Sequence, residues 1–161
     1  MLNKKLAELE ESEGYVFHGS PFPDIRSLEP RQGKHVPDLS KPTETILDGK
    51  PAVSATPYLE LAIFRAIINN ENVQFNHTSG FGINNGKKEF RLSSIEVLEE
   101  VKDKGGFVYV FNKKDFEPYS RDNKARGDSM EWRSYKKVIP IDVIEVSFDD
   151  LPSKSKITFT E

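Results

Sequence analysis

The sequence predicts an α+β fold built mainly on antiparallel sheet, and three observations support this prediction. Short runs of aromatic and β-branched residues recur along the whole chain. Only a few stretches carry helical periodicity, and long polar segments separate the elements. With 161 residues, the chain is long enough for one continuous core, so we expect a single domain over residues 1–161.

Three segments are predicted to be helical. Residues 2–11 have leucines at helical spacing, and Gly14 ends this N-terminal helix, which takes up residues 1–14. A second helix is expected to run from Thr56, as the N-cap, with Pro57 at its first position, to about Asn69. Residues 95–104 predict a short third helix that ends before two glycines.

Alternating and apolar runs predict the strands. Residues 107–111 form the most apolar run and are expected to be a central strand, whereas residues 21–50 contain five prolines and are expected to be irregular. Asn84-Asn85-Gly86 predicts a hairpin turn within residues 81–92. The other predicted strands cover residues 15–18, 52–55, 131–135, 143–148 and 157–159, the last at an edge.

The composition bounds the function. A net charge of −3 makes nucleic acid an unlikely partner, and the absence of cysteine excludes disulfides and thiolate metal sites. The three histidines stand without acidic residues at ligand spacing, so no metal site is expected. No apolar run approaches the roughly 20 residues of a membrane helix. We therefore expect a cytoplasmic protein, in the producing cell or in a target cell, with no membrane partner.

Three segments stand out as candidate chemistry. A strand ends in His18-Gly19-Ser20, a second strand carries Val53 and leads into a helix with Phe64, and a third strand opens with Glu131. Each segment taken alone also fits a purely structural role. Their order and spacing along the chain indicate that the three segments belong together and are not unrelated elements.

This arrangement resembles the histidine–tyrosine–glutamate branch of the ADP-ribosyltransferase superfamily, which includes diphtheria-like toxins and poly-ADP-ribose polymerases, and in particular its small bacterial members. The resemblance covers residues 17–30, 51–67, 106–118 and 131–151, about half of the chain. It implies split antiparallel sheets with flanking helices. It also implies NAD as substrate, no metal, and transfer of ADP-ribose to a protein, nucleotide or small-molecule acceptor.

The resemblance implies a role for each matching residue. His18 would bind a ribose hydroxyl, the Gly19 backbone would hold the nicotinamide carboxamide, and Ser20 would place the nicotinamide-side ribose. Phe64 would stack on the nicotinamide ring. Glu131 would accept a hydrogen bond from the ribose 2′-hydroxyl and stabilise the oxocarbenium ion that forms as nicotinamide leaves.

Two further sets of residues belong to the implied site. Arg26 and Arg31 would meet the pyrophosphate of NAD. In the loop before Glu131, the candidates for acceptor recognition are Arg121, Lys124, Arg126 and Ser129.

The sequence departs from the family pattern at two positions. Val53 occupies the place of the middle tyrosine, for which Tyr58 is a substitute in the wrong register. Ser129 stands two residues before Glu131, where arginine-modifying members carry Gln or Glu, so arginine is not the expected acceptor.

Two alternatives remain open. One is a catalytically silent nucleotide- or protein-binding module of the same fold, which the departure at Val53 motivates. The other is an RNA 2′-phosphotransferase-like enzyme, which the net charge of −3 disfavours.

Overall fold

The computed structural model of the chain describes residues 3–35, 37, 40–41 and 43–160, and these residues form an α+β fold. Its α-helices are α1 (Lys4–Glu11), α2 (Leu59–Ile67) and α3 (Glu96–Val101). Its first strands are β1 (Tyr15–Ser20), β2 (Lys34–His35), β3 (Ile46–Leu47), β4 (Val53–Ala55), β5 (Ser79–Asn84) and β6 (Lys87–Leu92). The remaining strands are β7 (Gly105–Asn112), β8 (Glu117–Tyr119), β9 (Glu131–Ser134), β10 (Asp142–Ser147) and β11 (Ile157–Phe159).

The central sheet consists of β1, β7 and β10, with β7 in the middle and both neighbours antiparallel to it. The prediction of a central strand at residues 107–111 is therefore confirmed. β1 does not end before Gly19, as the sequence suggested, but continues to Ser20, because Gly19 and Ser20 pair with β7 like the residues before them.

The other strands form a second sheet, a hairpin sheet and a short pair. The second sheet has the order β4-β9-β8 and is antiparallel throughout. In the hairpin sheet, β5 and β6 form the expected hairpin, and β11 adds a parallel edge strand to β6. Positive φ angles at Asn85 and Gly86 give the two-residue turn that such a hairpin needs. β2 and β3 pair with each other inside the otherwise irregular segment 21–50.

Helix α2 begins later than the sequence predicts. Thr56 does not cap it, because the Thr56 backbone is paired with Phe17 of β1 through two hydrogen bonds of 2.7 and 2.9 Å. The chain therefore stays extended to Tyr58, which is the N-cap. Glu10 of α1 accepts a hydrogen bond of 2.6 Å from the Leu59 N–H and so supplies the missing cap.

Two apolar cores lie on opposite faces of the central sheet. The larger core holds α2, which packs against β1 and β7, together with buried residues of the hairpin sheet and α3. The smaller core lies between the other face of β1 and β7 and the inner face of the second sheet. Alternation along β7 explains the division, because Val108 and Val110 enter the larger core while Tyr109 and Phe111 enter the smaller one. Ile144, Val146 and Phe148 all pack on the larger core, as the alternation of that segment predicts.

Within the part of the chain that the structure describes, no helix combines the length and the hydrophobicity that crossing a bilayer requires.

Candidate functional site

The candidate site is assembled from three strands that are far apart in sequence. The bridge between Phe17 and Thr56 joins β1 to β4, and Ser54 of β4 pairs with Arg133 of β9. These two pairings place β4 between β1 and β9, so His18 and Glu131 lie on the two strands that flank β4. Ser54, which lies between them, is the residue that connects them.

The face of the second sheet that carries Glu131 points away from the smaller core. Trp132 packs against that core, so its neighbours Glu131 and Arg133 lie on the opposite face of β9. On β4, Val53 and Ala55 are buried, whereas Ser54 is exposed. The outer face of the second sheet therefore presents Ser54, Glu131 and Arg133 side by side.

Ser54 contacts both predicted catalytic residues. Its carbonyl oxygen lies 2.8 Å from Nδ1 of His18, and its hydroxyl donates to Oε2 of Glu131 at 3.0 Å. Arg133 donates from Nε to the same carboxylate oxygen at 2.6 Å. The other oxygen, Oε1, accepts no hydrogen bond from the described residues and is the atom that a ligand would meet.

The protonation state of His18 follows from its surroundings. Burial lowers the pKa of His18 below its usual value, and the positive charge of Arg31 acts in the same direction, while the Ser54 carbonyl opposes them. The imidazole is therefore neutral at pH 7. Because a carbonyl can only accept, Nδ1 carries the proton, and Nε2 is left as an acceptor for a ligand hydroxyl.

A charge cluster lies beside Glu131 and centres on Asp48, which is buried together with Arg133, whereas Arg121 is exposed. The Asp48 carboxylate accepts from the Tyr119 hydroxyl at 2.9 Å, and two guanidinium nitrogens of Arg121 bind its two oxygens at 3.2 and 3.0 Å. Arg133 bonds to the Asp48 carbonyl at 2.7 Å and lies 3.3 Å from its carboxylate. This carboxylate therefore has two cations and a hydroxyl as partners.

The cluster predicts a specific acid sensitivity. The Arg121 guanidinium is the largest cause that lowers the pKa of Asp48 from 3.8 to about 2, against the cost of burial. A depressed pKa stabilises the fold above about pH 4, and this stabilisation is lost as the pH falls from about 4 to 2. We expect wild-type protein to lose about 2 kcal/mol more of unfolding free energy over this interval than Asp48→Asn, as measured by urea unfolding. Parallel curves would show that Asp48 titrates normally.

The glycine of the His18-Gly19-Ser20 segment is needed for packing. A Cβ at Gly19 would stand 1.9 Å from the Ala62 carbonyl oxygen and 2.7 Å from the Ala66 nitrogen, both in α2. The position that a side chain would occupy at residue 19 therefore faces the helix and not the cleft. Glycine is needed here because α2 approaches the β1 backbone closely, and not because a ligand does.

Three other residues implied by the resemblance hold structural positions. Ser20 is buried, and its hydroxyl accepts from the Phe22 N–H at 3.1 Å, so it closes a turn. Val53 is buried in the smaller core and points away from Glu131. Phe64 has no exposed surface and packs on Phe90 with ring centroids 4.9 Å apart. The expected stacking of Phe64 on nicotinamide is corrected to a core position, because α2 is buried on nearly every side.

The two arginines of the long loop differ in their relation to the site. Arg31 is exposed, its backbone pairs with Ala52, and its charge acts on His18. Arg26 is also exposed, and its side chain has no ion pair among the described residues. Arg31 is thus near the candidate site, whereas nothing ties Arg26 to it.

The predicted acceptor loop divides in the same way. Arg121 binds Asp48 and so belongs to the charge cluster. Arg126 lies 3.3 Å from Asp128, and the Ser129 hydroxyl accepts from the Arg126 N–H at 2.7 Å, which closes a turn. Lys124 is exposed, and its side chain has no ion-pair partner within the described ranges.

An open groove of about 940 Å³ separates this loop from the β5–β6 hairpin. Tyr58 and Met130 contribute apolar surface to it, and its cations are Lys88, Lys124 and Arg126. The Tyr58 hydroxyl donates to the Asp128 carbonyl at 2.7 Å, so Tyr58 anchors the loop over the start of α2.

Comparison with family models, curated proteins and solved structures gave no match. Among the described residues, no group of three or more His, Cys, Asp or Glu side chains is placed to hold a metal ion. The contacts of the site therefore carry the functional argument alone.

Sequence reasoning missed Ser54, Asp48 and Arg133. Two of them left a signal. Ser54 is the single polar residue in a buried strand, and Arg133 stands two positions after Glu131, on the same face of the strand. Asp48 gave no signal, because it lies in an irregular segment whose path no periodicity describes.

Proposed function

We propose that this chain is an NAD-dependent ADP-ribosyltransferase, of the fold that the sequence resembles. The observation that carries the proposal is the link from His18 through Ser54 to Glu131, with Oε1 of Glu131 left open. A neutral histidine and a fixed carboxylate on the two strands that flank β4 are the two groups that the proposed reaction needs.

In the proposed reaction, Glu131 stabilises the transition state. The bond between C1′ of the ribose and the nicotinamide nitrogen breaks, and its electron pair leaves with nicotinamide. Oε1 of Glu131 accepts a hydrogen bond from the 2′-hydroxyl and stabilises the oxocarbenium charge. The acceptor nucleophile then bonds to C1′ and gives up its proton to water. Ser54 and Arg133 hold Oε2 and so prevent the carboxylate from rotating.

The β1 strand supplies the binding groups. Nε2 of His18 would accept a hydrogen bond from a ribose hydroxyl, and Arg31 would contact the pyrophosphate. The Phe17 N–H and C=O point toward β4. The backbone N–H and C=O groups of every second strand residue point to the same side, so those of Gly19 also point to the β4 side, beyond Thr56. There they would bind the carboxamide.

The groove beside the 120–130 loop supports an acceptor site next to Glu131. Met130 lines the groove and is followed directly by Glu131. The three cations of the groove, Lys88, Lys124 and Arg126, outnumber its two carboxylates, Asp122 and Asp128, and this excess of positive charge favours an acceptor that carries an acidic or phosphorylated group. Ser129 is engaged in a turn and is not placed to bind a guanidinium, which is consistent with an acceptor other than arginine.

A silent nucleotide-binding module is the second candidate. It is favoured by the burial of Val53 and Phe64, which leaves neither position with an aromatic ring open to NAD. Tyr58 does not fill this role directly, since its hydroxyl is already bonded to Asp128.

Nicotinamide release from NAD by the purified protein tests the proposal. We expect release by the wild type, and a fall in kcat/KM of about tenfold in His18→Ala, the equivalent of one lost hydrogen bond of roughly 1.5 kcal/mol. His77→Ala is the matched control, because the contacts of His77 among the described residues are local ones with Phe75, through its carbonyl at 3.0 Å and an edge-on ring contact. It should behave as wild type.

Thermal unfolding with NAD separates the two candidates. A protein that binds NAD without turnover would gain roughly 2.7 kcal/mol at a hundredfold excess over the dissociation constant and would release no nicotinamide. That result would support the silent module. Neither turnover nor stabilisation would contradict both candidates.

A further inference from the structure

We propose that Asp48 is a positioning residue for Glu131, acting through Arg133. This inference rests on the proposed function, because it assigns a purpose to the fixed orientation of the Glu131 carboxylate. Asp48 itself does not touch Glu131. Its influence passes through the one guanidinium that both residues share.

Arg133 is tightly confined by its neighbours. Its side chain is 6% exposed, and its guanidinium carbon lies 3.5 Å from the centroid of the Tyr119 ring. Nη1 donates to the Asp48 carbonyl at 2.7 Å, and Nη2 lies 3.3 Å from the Asp48 carboxylate. With both terminal nitrogens and one face occupied, the planar group has one orientation, and this orientation directs Nε to Glu131.

The positive and negative charges of the cluster and Glu131 are balanced. Two guanidinium groups, of Arg121 and Arg133, face two carboxylates, of Asp48 and Glu131. Removing the Asp48 charge would leave two cations with one anion. Arg133 would then keep the Asp48 carbonyl on Nη1 but lose the carboxylate beside Nη2, so its guanidinium would be free to tilt.

The backbone around Asp48 is also fixed. The Asp48 N–H donates to the Gly33 carbonyl at 2.9 Å, and Gln32 donates to the Gly49 carbonyl at 2.9 Å, so Asp48 and Gly49 are held beside Gln32 and Gly33. Gly49 has a φ of +72°, and a Cβ there would stand 2.9 Å from Arg133. The chain is thus shaped to bring the Asp48 backbone and side chain together onto Arg133. A surface ion pair would not require this shape.

The residues at the outer face of the second sheet therefore have different roles. Glu131 contacts the substrate through Oε1, and Arg133 and Ser54 hold Oε2. Asp48 sets the position of Arg133. Misplacement of a reacting group by about 1 Å lowers a rate by about 10²-fold, so the loss of Asp48 should appear in kcat.

Steady-state kinetics of nicotinamide release from NAD test the inference. Asp48→Asn should lower kcat about 10²-fold with KM for NAD within about threefold of wild type. Asp142→Asn is the matched control, since it also removes a carboxylate from an ion pair, with Lys5 at 2.6 Å, but in the central sheet. It should leave both constants unchanged. An equal loss in the two variants, or a change confined to KM, would overturn the proposal.

A second measurement does not depend on turnover. In the wild type, the Arg133 Nε–H should give a nitrogen–proton NMR signal that exchanges slowly with water, because it is bonded to Glu131. Asp48→Asn should shift this signal and speed its exchange at least tenfold, whereas Asp142→Asn should not. An unchanged signal would contradict the positioning role even if the wild type releases no nicotinamide, so the two proposals fail separately.

A milder variant covers the case in which Asp48→Asn does not fold. Tyr119→Phe removes one hydrogen bond to Asp48 and keeps the ring against Arg133. We expect it to lower kcat severalfold and to shift the same NMR signal in the same direction. Wild-type kcat together with a wild-type signal would overturn the proposal.

Discussion

Gly106→Ala is expected to destabilise the fold by about 3 kcal/mol, and Gly19→Ala by at least as much. A Cβ at Gly106 would stand 2.1 Å from the Ala66 carbonyl oxygen, and a Cβ at Gly19 would stand 1.9 Å from that of Ala62. Both atoms belong to the backbone of α2, which no rotamer change can move. The helix would have to shift away from the central sheet and open the larger core. Urea unfolding of each variant measures the loss.

That alanine destabilises the fold at these two positions is the informative result. Alanine normally stabilises a strand by roughly 0.5–1 kcal/mol relative to glycine, through the unfolded chain and side-chain packing. Gly14→Ala is the control, because only the Ser12 hydroxyl lies within 4 Å of the added carbon, at 4.0 Å. If Gly19→Ala were as stable as Gly14→Ala, α2 would not lie against β1 as described.

Local pattern predicted those parts of the fold that depend on neighbouring residues. The hairpin followed from Asn85 and Gly86, which tolerate the positive φ of the turn. The central strand followed from an unbroken apolar run, because a strand covered by apolar cores on both faces carries no polar alternation. The start of α2 did not follow, since a partner strand holds Thr56 extended.

The candidate site was predictable to a smaller extent. His18 and Glu131 could be selected from the order of the motifs, and strand pairing brings them to the two sides of β4. Phe64 could not be classified, because helical spacing gives the same pattern for a core ring and for a ring that faces a ligand. The register of β4 decides that Ser54 and not Val53 faces Glu131. A sequence contains no direct record of that register.

The charge cluster shows why the sequence did not predict the rest of the candidate site. Asp48 and Arg133 are bonded at 2.7 Å although they are 85 positions apart in the chain. Neither residue belongs to a spacing pattern that marks the contact. A buried carboxylate in a proline-rich loop cannot be distinguished by composition from an exposed one.

Glu131→Gln is expected to lower nicotinamide release about 10³-fold while the free energy of unfolding falls by only about 1 kcal/mol. Glutamine keeps the shape and an oxygen that can accept from Arg133, so the contacts with the second sheet persist. It loses the negative charge that the proposed oxocarbenium ion requires. Rate and stability therefore separate, which a purely structural glutamate would not allow. Single-turnover release from NAD and urea unfolding of the same preparation measure the two quantities.

Glu117→Gln is the matched control for this change. Glu117 pairs with Arg133 in the register of β8 and β9, so it lies on the same face as Glu131, and it is exposed. The substitution removes the same charge from the next strand and should leave release within about twofold of wild type. Equal losses in both variants would mean that the general field of the sheet matters, and not the hydrogen bond that Oε1 accepts. A Glu131→Gln protein that recovered full activity on cooling would assign the residue to stability alone, because lowering the temperature restores folding but cannot restore a missing charge.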